Sequence, residues 1–410
     1  MRHLWAVVLI TGCVGSAIAA AELVPYQVVD GVSIPRSLTG EPGDPERGRA
    51  AISHVQQGNC LACHEIPALG DEPFHGDLGP SLSGVASRYD EGEIRLRIVD
   101  PKVVNPDTIM PAFYKTEGLH RVMPKFVGEP ILSAQQVEDV VAFLLTLDDE
   151  DETFTTARIP LPDQPVTIEA PPGSGLPELI SGYEFATAPT RELQADNAVN
   201  PGFLWVEQGA ELWQAADGKA GRSCADCHGD AEAAMRSVGA SYPKFHEASG
   251  RPINLEQRIN LCRSEHMQAE PWPWESDPLL AMTAYVKHHS RGMPVDVAVD
   301  GPAARFFEAG RELYYRRRGV MDMACKHCHN DHYGQHLRTN LLTQGQSNGF
   351  PMYRLGWQTF GSLHRFVGDV CYARVRATPL EPGSKELVNL ELYLAWRGSG
   401  LPVETPAVRQ

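Results

Sequence analysis

Three copies of one pentapeptide, two cysteines separated by two residues and followed by a histidine, are the residues of this chain best suited to chemistry. They are Cys60-Leu-Ala-Cys63-His64, Cys224-Ala-Asp-Cys227-His228 and Cys325-Lys-His-Cys328-His329. In this pattern the two thiols can bond to the vinyl groups of a haem while the adjacent imidazole ligates the iron. A zinc half-site or a redox dithiol is the alternative for a single copy, but three copies that all end in His favour haem. The sequence therefore predicts three covalently bound haem c groups.

The sixth iron ligand decides what each haem can do, and three residues are candidates for it in the first unit. They are Met110 before Pro111, Met123 before Pro124, and His120. A thioether followed by proline, on an irregular loop before the last helix, is the usual arrangement in small cytochromes, and both methionines satisfy it. His/Met ligation raises the reduction potential, so a methionine ligand would make the first haem the exit for electrons.

Two cysteines remain once the others are assigned. Of the nine in the chain, six belong to the pentapeptides and Cys13 lies near the N-terminus, which leaves Cys262 and Cys371. Each follows one of the last two pentapeptides, which suggests one thiolate ligand for each of these haems. A disulfide between Cys262 and Cys371 is the other interpretation, since an oxidising compartment allows it.

Residues 1–21 have the pattern of a secretory signal peptide. Arg2 and His3 precede an apolar stretch, and small residues up to Ala21 supply a cleavage signal. A lipoprotein signal with a lipidated Cys13 is the alternative, but the apolar core before Cys13 is short. No later stretch approaches the roughly 20 apolar residues that a spanning helix needs. We therefore expect a periplasmic protein without a membrane anchor.

The charge of the chain limits its partners. A net charge of −16 argues against nucleic acid and gives no reason to expect binding to a membrane surface. One basic cluster, Arg316-Arg317-Arg318, precedes the third pentapeptide. It is consistent either with a solvated helix end or with a patch that steers anions towards the third haem.

A segment rich in acidic residues and proline divides the chain. It starts with the acidic run 148–152 and continues through several prolines to Gly175. Such a composition, with little apolar periodicity, is typical of a linker. We assign residues 22–150 to a first haem domain, 151–175 to the linker, and 176–297 and 298–410 to two further haem domains.

The last two domains contain an internal repeat. Gly209 stands 15 residues before Cys224, and Gly310 stands 15 residues before Cys325. Both repeats also close on a tyrosine that lies nine residues before a proline. Duplication of one cytochrome unit explains this register most simply.

The first domain follows the same plan, with Gly48 ahead of its pentapeptide and an apolar-periodic helix after it. Ser133 and Gln136 are placed to form a capping box at the start of that helix. We therefore predict an all-α fold of three cytochrome c-like domains, each with an N-terminal helix leading to the haem and a C-terminal helix packed against it.

The segments around Cys371 and at the start of the second domain resemble the di-haem subunit SoxA of the bacterial sulfur-oxidising cytochromes. The similar segments are Tyr353-Arg354-Leu-Gly-Trp357-Gln358, Gly361-Ser-Leu-His364-Arg365-Phe366, Val375-Arg376-Ala377, Ser181-Gly-Tyr-Glu-Phe185 and Asn200-Pro-Gly-Phe-Leu-Trp205. The first domain resembles the partner subunit SoxX through Val104-Asn-Pro106, Met110-Pro111, Tyr114-Lys-Thr-Glu-Gly118 and Gln136-Val-Glu-Asp-Val140. Together the two resemblances cover nearly all of the chain after the signal peptide, and they imply that both subunits are joined in one polypeptide.

This resemblance implies an L-cysteine S-thiosulfotransferase. Such an enzyme joins thiosulfate oxidatively to a cysteine of the carrier protein SoxYZ and passes two electrons to an external cytochrome c. The sulfonate of thiosulfate is anionic, so guanidinium groups near the reactive cysteine would suit it.

The resemblance also implies residue roles. Cys371 would ligate the third iron and be the active-site cysteine, present as a persulfide, while Cys262 would ligate the second iron and Met110 the first. Arg365 would bind the substrate because it precedes Phe366 as in the family's Arg-Phe pair. In the family that arginine lies four residues before the cysteine, whereas six separate it here, so Arg354 and Arg376 are further candidates.

Two other functions are compatible with these residues. A thiosulfate dehydrogenase would couple two thiosulfates to tetrathionate at a Cys-ligated haem and would need no carrier. A multihaem electron carrier would use neither Cys262 nor Cys371 for turnover. A haem peroxidase fits less well, because it needs an open iron position and both repeats offer a cysteine.

Overall fold

A computed structural model describes residues 23–148 and 160–410 of the chain. The predicted signal peptide 1–21 with Cys13, and most of the acidic run, lie outside the described residues. The described α-helices are, in chain order, α1 Pro45–Ser53, α2 Val85–Arg88, α3 Glu91–Val99, α4 Ala134–Leu144, α5 Ala188–Ala195, α6 Phe203–Gln214, α7 Cys224–His228, α8 Ala231–Met235, α9 Leu255–Cys262, α10 Asp277–His288, α11 Ala304–Tyr315, α12 Cys325–His329, α13 Leu363–Phe366 and α14 Lys385–Arg397.

The prediction of an all-α fold is too strict, because the described residues also form short strands of two or three residues. These are β1 Thr167–Glu169, β2 Glu178–Ile180, β3 Lys244–His246, β4 Arg251–Ile253, β5 His336–Leu337, β6 Asn340–Leu341, β7 Met352–Arg354, β8 Thr359–Gly361 and β9 Ala407–Arg409. The first six pair as antiparallel hairpins, and β7 pairs with β8 antiparallel and with β9 in parallel. These strands hold loops around the helical units. Pairing between segments of two or three residues is not predictable from the sequence of either segment, because it depends on the tertiary context.

One helix pair recurs in the three units that each contain one pentapeptide: α1 packs on α4, α6 on α10, and α11 on α14. A glycine lies at each crossing. A Cβ built on Gly48 would lie 2.0 Å from the Asp139 carbonyl oxygen, and one on Gly310 would lie 2.0 Å from that of Asn389. Gly209 approaches the Ala281 carbonyl in the same way, with 2.4 Å left for a Cβ. At each crossing the helix backbones are in contact, which leaves no room for a Cβ and requires glycine.

We expect Gly310→Ala to lower the melting temperature of the haem-loaded protein. Alanine is the better helix former, so without a contact the change would stabilise α11 by about 1 kcal/mol. Here the added methyl meets backbone of α14, and we expect overpacking to cost roughly 1–3 kcal/mol instead. Glu312→Ala, at an exposed position of the same helix, is the matched control. A melting temperature for Gly310→Ala at or above that of the parent would contradict the close approach.

The two repeated units also contact each other through matching segments. Val295 N–H donates to the Leu401 carbonyl at 2.9 Å, and Val403 N–H donates to the Met293 carbonyl at 2.8 Å. These segments follow Tyr285 and Tyr393, the residues that close the repeats in the sequence. The duplicated units are thus joined by equivalent stretches of chain.

The first unit is closed by its own helices and by a turn of the third unit. Ser133 and Gln136 form the predicted capping box of α4, through bonds of 3.3 and 2.9 Å. Val137, Val140 and Val141 of that helix are buried in the core of the first unit. Val320, from the chain just before the third pentapeptide, is buried in the same core. The first and third units therefore share a packed interface.

The described part of the predicted linker lies against the third unit. Residues 167–169 pair with 178–180 as β1 and β2, Ser174 is buried, and the Gly175 carbonyl accepts a bond from the Asn330 amide at 3.2 Å. Within residues 23–148 and 160–410, no helix has the length and apolar character needed to cross a membrane.

Candidate functional site

Each pentapeptide begins a short helix at its first cysteine. Cys60 begins a 3₁₀ turn, Cys60–Ala62, while Cys224 and Cys325 begin α7 and α12. The start of α7 is fixed by a capping box in which Ser223 and Asp226 bond to each other's backbone N–H at 3.1 and 2.7 Å. Residues three apart in a helical turn lie on one side, so the local structure turns both thiols of a pair to the same face.

The histidines of the first and third pentapeptides are held with one ring nitrogen occupied. His64 Nδ1 lies 2.7 Å from the Pro80 carbonyl oxygen, and His329 Nδ1 lies 2.7 Å from that of Thr343. A carbonyl accepts only from a protonated Nδ1, and in a neutral ring this leaves Nε2 unprotonated. Burial lowers the pKa of His64, against the opposing effect of its bond to the Pro80 carbonyl. Burial also lowers the pKa of His329 to about 4, against the opposing effect of its carbonyl bond. Both imidazoles are therefore neutral and suited to binding iron.

Glycines complete these two histidine positions. A Cβ on Gly79 would lie 2.3 Å from the His64 ring, and a Cβ on Gly345 would lie 2.8 Å from the His329 ring. The backbone thus packs directly against one side of each imidazole and fixes its orientation. Paired thiols, a neutral imidazole with a free Nε2 and an adjoining cavity together fit a covalently attached haem at both positions.

The first and third pentapeptides open into one continuous cavity of about 1560 Å³ with a mainly apolar lining. At the first site the lining includes Cys60, Cys63, His64 and Met110, and at the third it includes Cys325, Cys328, His329 and Cys371. Residues far apart in the sequence therefore share one space. The arrangement can hold two flat, apolar groups in neighbouring positions.

Of the three candidates for the sixth ligand of the first haem, only Met110 is among the described residues lining this cavity. Met123 lies at the edge of the interface, where its N–H donates to the Arg376 carbonyl at 3.1 Å. His120 also lies at the interface, where its carbonyl accepts from Gly319 N–H at 2.8 Å. The geometry thus separates Met110 from two residues that the local sequence left as alternatives.

The second pentapeptide has a separate, smaller cavity of about 570 Å³. Cys227, His228, Cys262 and Arg258 are among its lining residues. Burial raises the pKa of the Cys262 thiol, and the Arg258 guanidinium acts in the opposite direction. The His228 ring lies 5.7 Å from the ring of Trp213, centre to centre. Cys262 is therefore placed with the attachment residues of its own repeat.

Cys371 is in the cavity of the third pentapeptide, on a local irregularity of the helix. The chain changes from α13 to a π-helical turn at Val367–Tyr372, and Cys262 likewise ends α9 just before the π turn Arg263–Met267. Such π turns often occur at functional positions. Burial raises the pKa of the Cys371 thiol to about 12, with Arg374 and Arg318 opposing this. Both remaining cysteines therefore lie at a π turn, Cys371 within it and Cys262 immediately before it.

The structure does not form the alternative disulfide. Both Cys262 and Cys371 are free, and each lines the cavity of its own repeat.

Arginine side chains gather around Cys371. Arg354, from β7, and Arg374, one turn after the cysteine, line the cavity. The Arg354 Nε has no hydrogen-bond partner among the described residues, and burial together with Arg374 lowers the pKa of this guanidinium. Arg376 also lines the cavity, but its guanidinium donates to the Gln56 carbonyl at 2.9 Å, across the interface with the first unit. The cavity is cationic in a protein of net negative charge, which favours an anionic substrate.

Arg365, in contrast to Arg354, Arg374 and Arg376, is not among the residues that line the cavity. Its guanidinium packs over the Trp357 ring at 4.3 Å, and its Nε lies 3.4 Å from an Asp369 carboxylate oxygen. The Arg354 guanidinium lies 5.1 Å from the same indole ring. Arg365 is thus placed to support Trp357 and, through it, the position of Arg354.

Sequence reasoning missed Arg374 as a site residue and placed Arg318 only within a basic cluster. Arg374 lies three residues after Cys371, a spacing that puts it on the same side of a helix and could have identified it. Arg318 is only 2% exposed, and its Nη1 lies 3.3 Å from Cys325 Sγ. Arg316, in the same basic cluster, is exposed and pairs with Glu312 of α11. Within this cluster Arg316 lies at a solvated helix end, whereas Arg318 lies beside the third pentapeptide.

Comparison with known proteins agrees with this geometry. The family model described as the SoxA/TsdA cytochrome c domain matches residues 208–295, and the cytochrome c model matches residues 50–148. The chain is 45% identical to L-cysteine S-thiosulfotransferase subunit SoxA of Pseudaminobacter salicylatoxidans over 66% of this chain and 94% of the relative. It is 37% identical to the subunit of the same name from Paracoccus pantotrophus, over 73% of this chain and all of the relative.

A solved structure shows the same relationship. The crystal structure of SoxXA from P. pantotrophus matches with a TM-score of 0.57 and 37% identity, and the match covers 61% of this chain and 100% of the other. Cytochrome c domains imply covalently bound haem c, as the pentapeptides do. The residues around Cys371, the cavity that they line and these extended similarities together place the chain in the SoxA family of L-cysteine S-thiosulfotransferase subunits.

Proposed function

We propose that this protein is a tri-haem cytochrome c enzyme that joins thiosulfate to a cysteine of the carrier protein SoxYZ and passes two electrons to an external cytochrome c. The observation that carries this proposal is the position of Cys371, which shares one cavity with Arg354, Arg374 and the attachment site of the first haem. A reactive sulfur, cations for a sulfonate and a route for electrons thus meet in one place. The name shared by the relatives supports the same reaction.

The reaction balances without an unnamed reagent. The carrier thiol and the outer sulfur of thiosulfate form a sulfur–sulfur bond, which gives a carrier S-thiosulfonate, one proton and two electrons. The thiol loses the proton, and cytochrome c receives the electrons one at a time. Because one negative charge of thiosulfate remains on the sulfonate throughout, a fixed cation can hold it from substrate to product.

The side chains divide this work. Arg354, with an unpaired Nε, and Arg374 hold the sulfonate, so that the outer sulfur points towards Cys371. Cys371 bears a second, polarizable sulfur as a persulfide, and the outer sulfur of thiosulfate bonds to it with loss of two electrons. The carrier thiol then takes the S–SO3 group, which breaks that new bond, restores the persulfide and releases one proton. Arg365 keeps Trp357 and Arg354 in position. The apolar remainder of the lining excludes water from the reacting sulfurs.

The haem groups would supply one-electron acceptors beside the reacting sulfur. Three pairs of thiols would attach them: Cys60 and Cys63, Cys224 and Cys227, Cys325 and Cys328. Three pairs of axial ligands would hold the irons: His64 with Met110, His228 with Cys262, and His329 with Cys371. Electrons would leave through the Met110 site, because a thioether ligand favours the reduced state more than a thiolate does.

The domain plan is part of this proposal. Residues 1–21 direct the chain to the periplasm and are removed, residues 22–150 act as the SoxX-like electron exit, and 176–297 and 298–410 form the SoxA-like part. The shared interface of the first and third units supports this plan, because it brings the exit site next to the reactive cysteine. One polypeptide would then combine two subunits.

The proposal is tested with the purified haem-loaded protein, thiosulfate and oxidised cytochrome c, with and without SoxYZ, while the mass of the carrier is followed. We expect cytochrome c reduction only when the carrier is present, together with a thiosulfonate adduct on its cysteine. Reduction without carrier, with tetrathionate as product, would replace the proposal with a thiosulfate dehydrogenase. No reduction in either case would leave a multihaem electron carrier.

We expect Cys262→Ala to change the spectrum of the second haem while much of the activity remains. Cys262 lines the separate cavity of its own repeat, so its loss removes a ligand there and leaves the Cys371 cavity intact. Electron paramagnetic resonance of the ferric protein would report the lost thiolate. An unchanged spectrum would rule out the ligand role of Cys262.

A further inference from the structure

The loop that carries Met110 is held by the third haem unit. We define the Met110 loop as residues 105–110 and the Arg317 turn as residues 316–323. The Arg317 turn is closed by backbone hydrogen bonds of 2.9 and 3.2 Å between Arg318 and Met323. Arg317 Nη2 donates to the Pro106 carbonyl at 2.9 Å, and both Nη atoms lie 3.2 Å from the Thr108 carbonyl oxygen. One guanidinium thus binds two carbonyls just before Met110.

A second contact reaches Met110 itself. Lys102 Nζ donates to the Met110 carbonyl at 2.9 Å and lies 3.7 Å from an Asp322 carboxylate oxygen. Both partners of this ion pair are mostly buried, with side-chain exposures of 12% and 15%. Arg317 Nη1 also donates to the Asp322 carbonyl at 2.8 Å. The two contacts therefore meet on the same turn.

The Arg317 turn is itself fixed in place from both sides. Val320 at its tip is buried in the core of the first unit, and Gly319 N–H donates to the His120 carbonyl at 2.8 Å. On the other side, a Cβ on Gly319 would lie 1.9 Å from the Val375 carbonyl oxygen, four residues after Cys371. The turn thus connects the segment after the reactive cysteine to the Met110 loop.

Within the loop, the Met110 side chain packs against the core of the first unit, but the residues before it are held less firmly. Residues 105–107 are exposed, and the bonds within the loop are short-range, such as that from Met110 N–H to Thr108 Oγ1 at 3.1 Å. An exposed loop with few buried contacts opens at low free-energy cost. Charge-assisted bonds from a guanidinium to carbonyls are stronger than neutral ones. Besides the packing of the Met110 side chain, the backbone of the loop is therefore restrained from the third unit by Arg317 directly and by Asp322 through Lys102.

From this geometry we infer that Arg317 and Asp322 of the third haem unit are positioning residues that keep the Met110 thioether at the first haem. This inference rests on the proposed ligand role of Met110. Loss of either restraint lets the loop detach, and a detached loop exchanges the thioether for water or another weak ligand. His/Met ligation raises the potential, so detachment lowers the potential of the haem that exports electrons. The catalytic unit thus sets the potential of its own electron exit.

The test compares Arg317→Ala with Arg316→Ala in the haem-loaded full-length protein. Arg316 is the adjacent arginine, but it is exposed, and its side chain pairs with Glu312 of α11. The readouts are the far-red absorption band of methionine bound to ferric haem and the reduction potential of the first haem in a redox titration. We expect Arg317→Ala to raise the population of the detached loop by roughly ten- to a hundredfold, which weakens the band and lowers the potential. Arg316→Ala should change neither.

Two further variants, Asp322→Asn and Met110→Ala, distinguish an error in the positioning role from an error in the ligand role of Met110. Asp322→Asn removes the ion pair with Lys102 but keeps the shape of the side chain and suits the left-handed backbone conformation at this position, φ 49°. We expect it to weaken the absorption band as Arg317→Ala does, but to a smaller extent. Met110→Ala is the reference, since it removes the thioether itself. If Met110→Ala leaves the band intact, the ligand assignment is wrong. If Met110→Ala abolishes the band while Arg317→Ala leaves band and potential unchanged, the positioning role is wrong and the ligand assignment stands.

Discussion

Cys371→Ala is expected to abolish carrier-dependent thiosulfate oxidation while three haems remain attached. The six attachment thiols are separate residues, so haem content measured by mass and by the pyridine haemochrome assay should be unchanged. The loss of turnover should be at least about a thousandfold, as for other residues that act covalently. This loss is measured as the steady-state rate of cytochrome c reduction in the presence of the carrier.

Cys371 would be both a ligand and a sulfur carrier, and a second substitution separates these roles. Cys371→Met keeps an axial sulfur atom in the cavity but has no thiol that can carry a persulfide. We expect this variant to be as inactive as Cys371→Ala, although its haem spectrum should differ. Recovery of turnover in Cys371→Met would show that only iron ligation is required. Full activity in Cys371→Ala would refute the catalytic assignment altogether.

Arg354→Met is expected to have the second largest effect, lowering kcat/KM for thiosulfate by roughly a hundredfold. The change removes a partly buried cation that would pair with the sulfonate beside Cys371. Methionine keeps most of the aliphatic stem that packs near Trp357, and the strand pairing of β7 through backbone groups is unaffected. The dependence of the initial rate on thiosulfate concentration separates a change in KM from one in kcat. A KM increase with little change in kcat would indicate that Arg354 binds the ground state and the transition state equally.

Arg365→Met is the matched control for Arg354. Both arginines pack on Trp357, but only Arg354 lines the Cys371 cavity. We therefore expect a smaller loss, within about tenfold, for Arg365→Met. A larger loss for Arg365 than for Arg354 would return the substrate-binding role to the residue that the family resemblance favoured.

Which arginine lines the Cys371 cavity cannot be read from a local match in the sequence. Arg365 matches a family pair by sequence, but two additional residues lie between it and Cys371, and a π-helical turn occupies that segment. An inserted residue in a helix rotates the turns before it relative to the turns after it. Arg354, whose side chain does line the cavity, lies in β7. The position of that strand depends on its pairing with the C-terminal segment Ala407–Arg409.

Four features were visible in the amino-acid sequence alone: the three pentapeptides, the two cysteines outside them, the repeated glycines and the capping box at Ser133. These features depend on contacts within one helical turn or on a spacing repeated along the chain, and both can be read from adjacent residues. Three features became visible only in the folded chain: Cys262 and Cys371 lie in separate cavities, Met110 rather than Met123 lines the cavity of the first pentapeptide, and Arg317 contacts the Met110 loop. The first two depend on which side of a helix or loop faces the cavity, and the third depends on packing between segments about two hundred residues apart. No local pattern in the sequence encodes either.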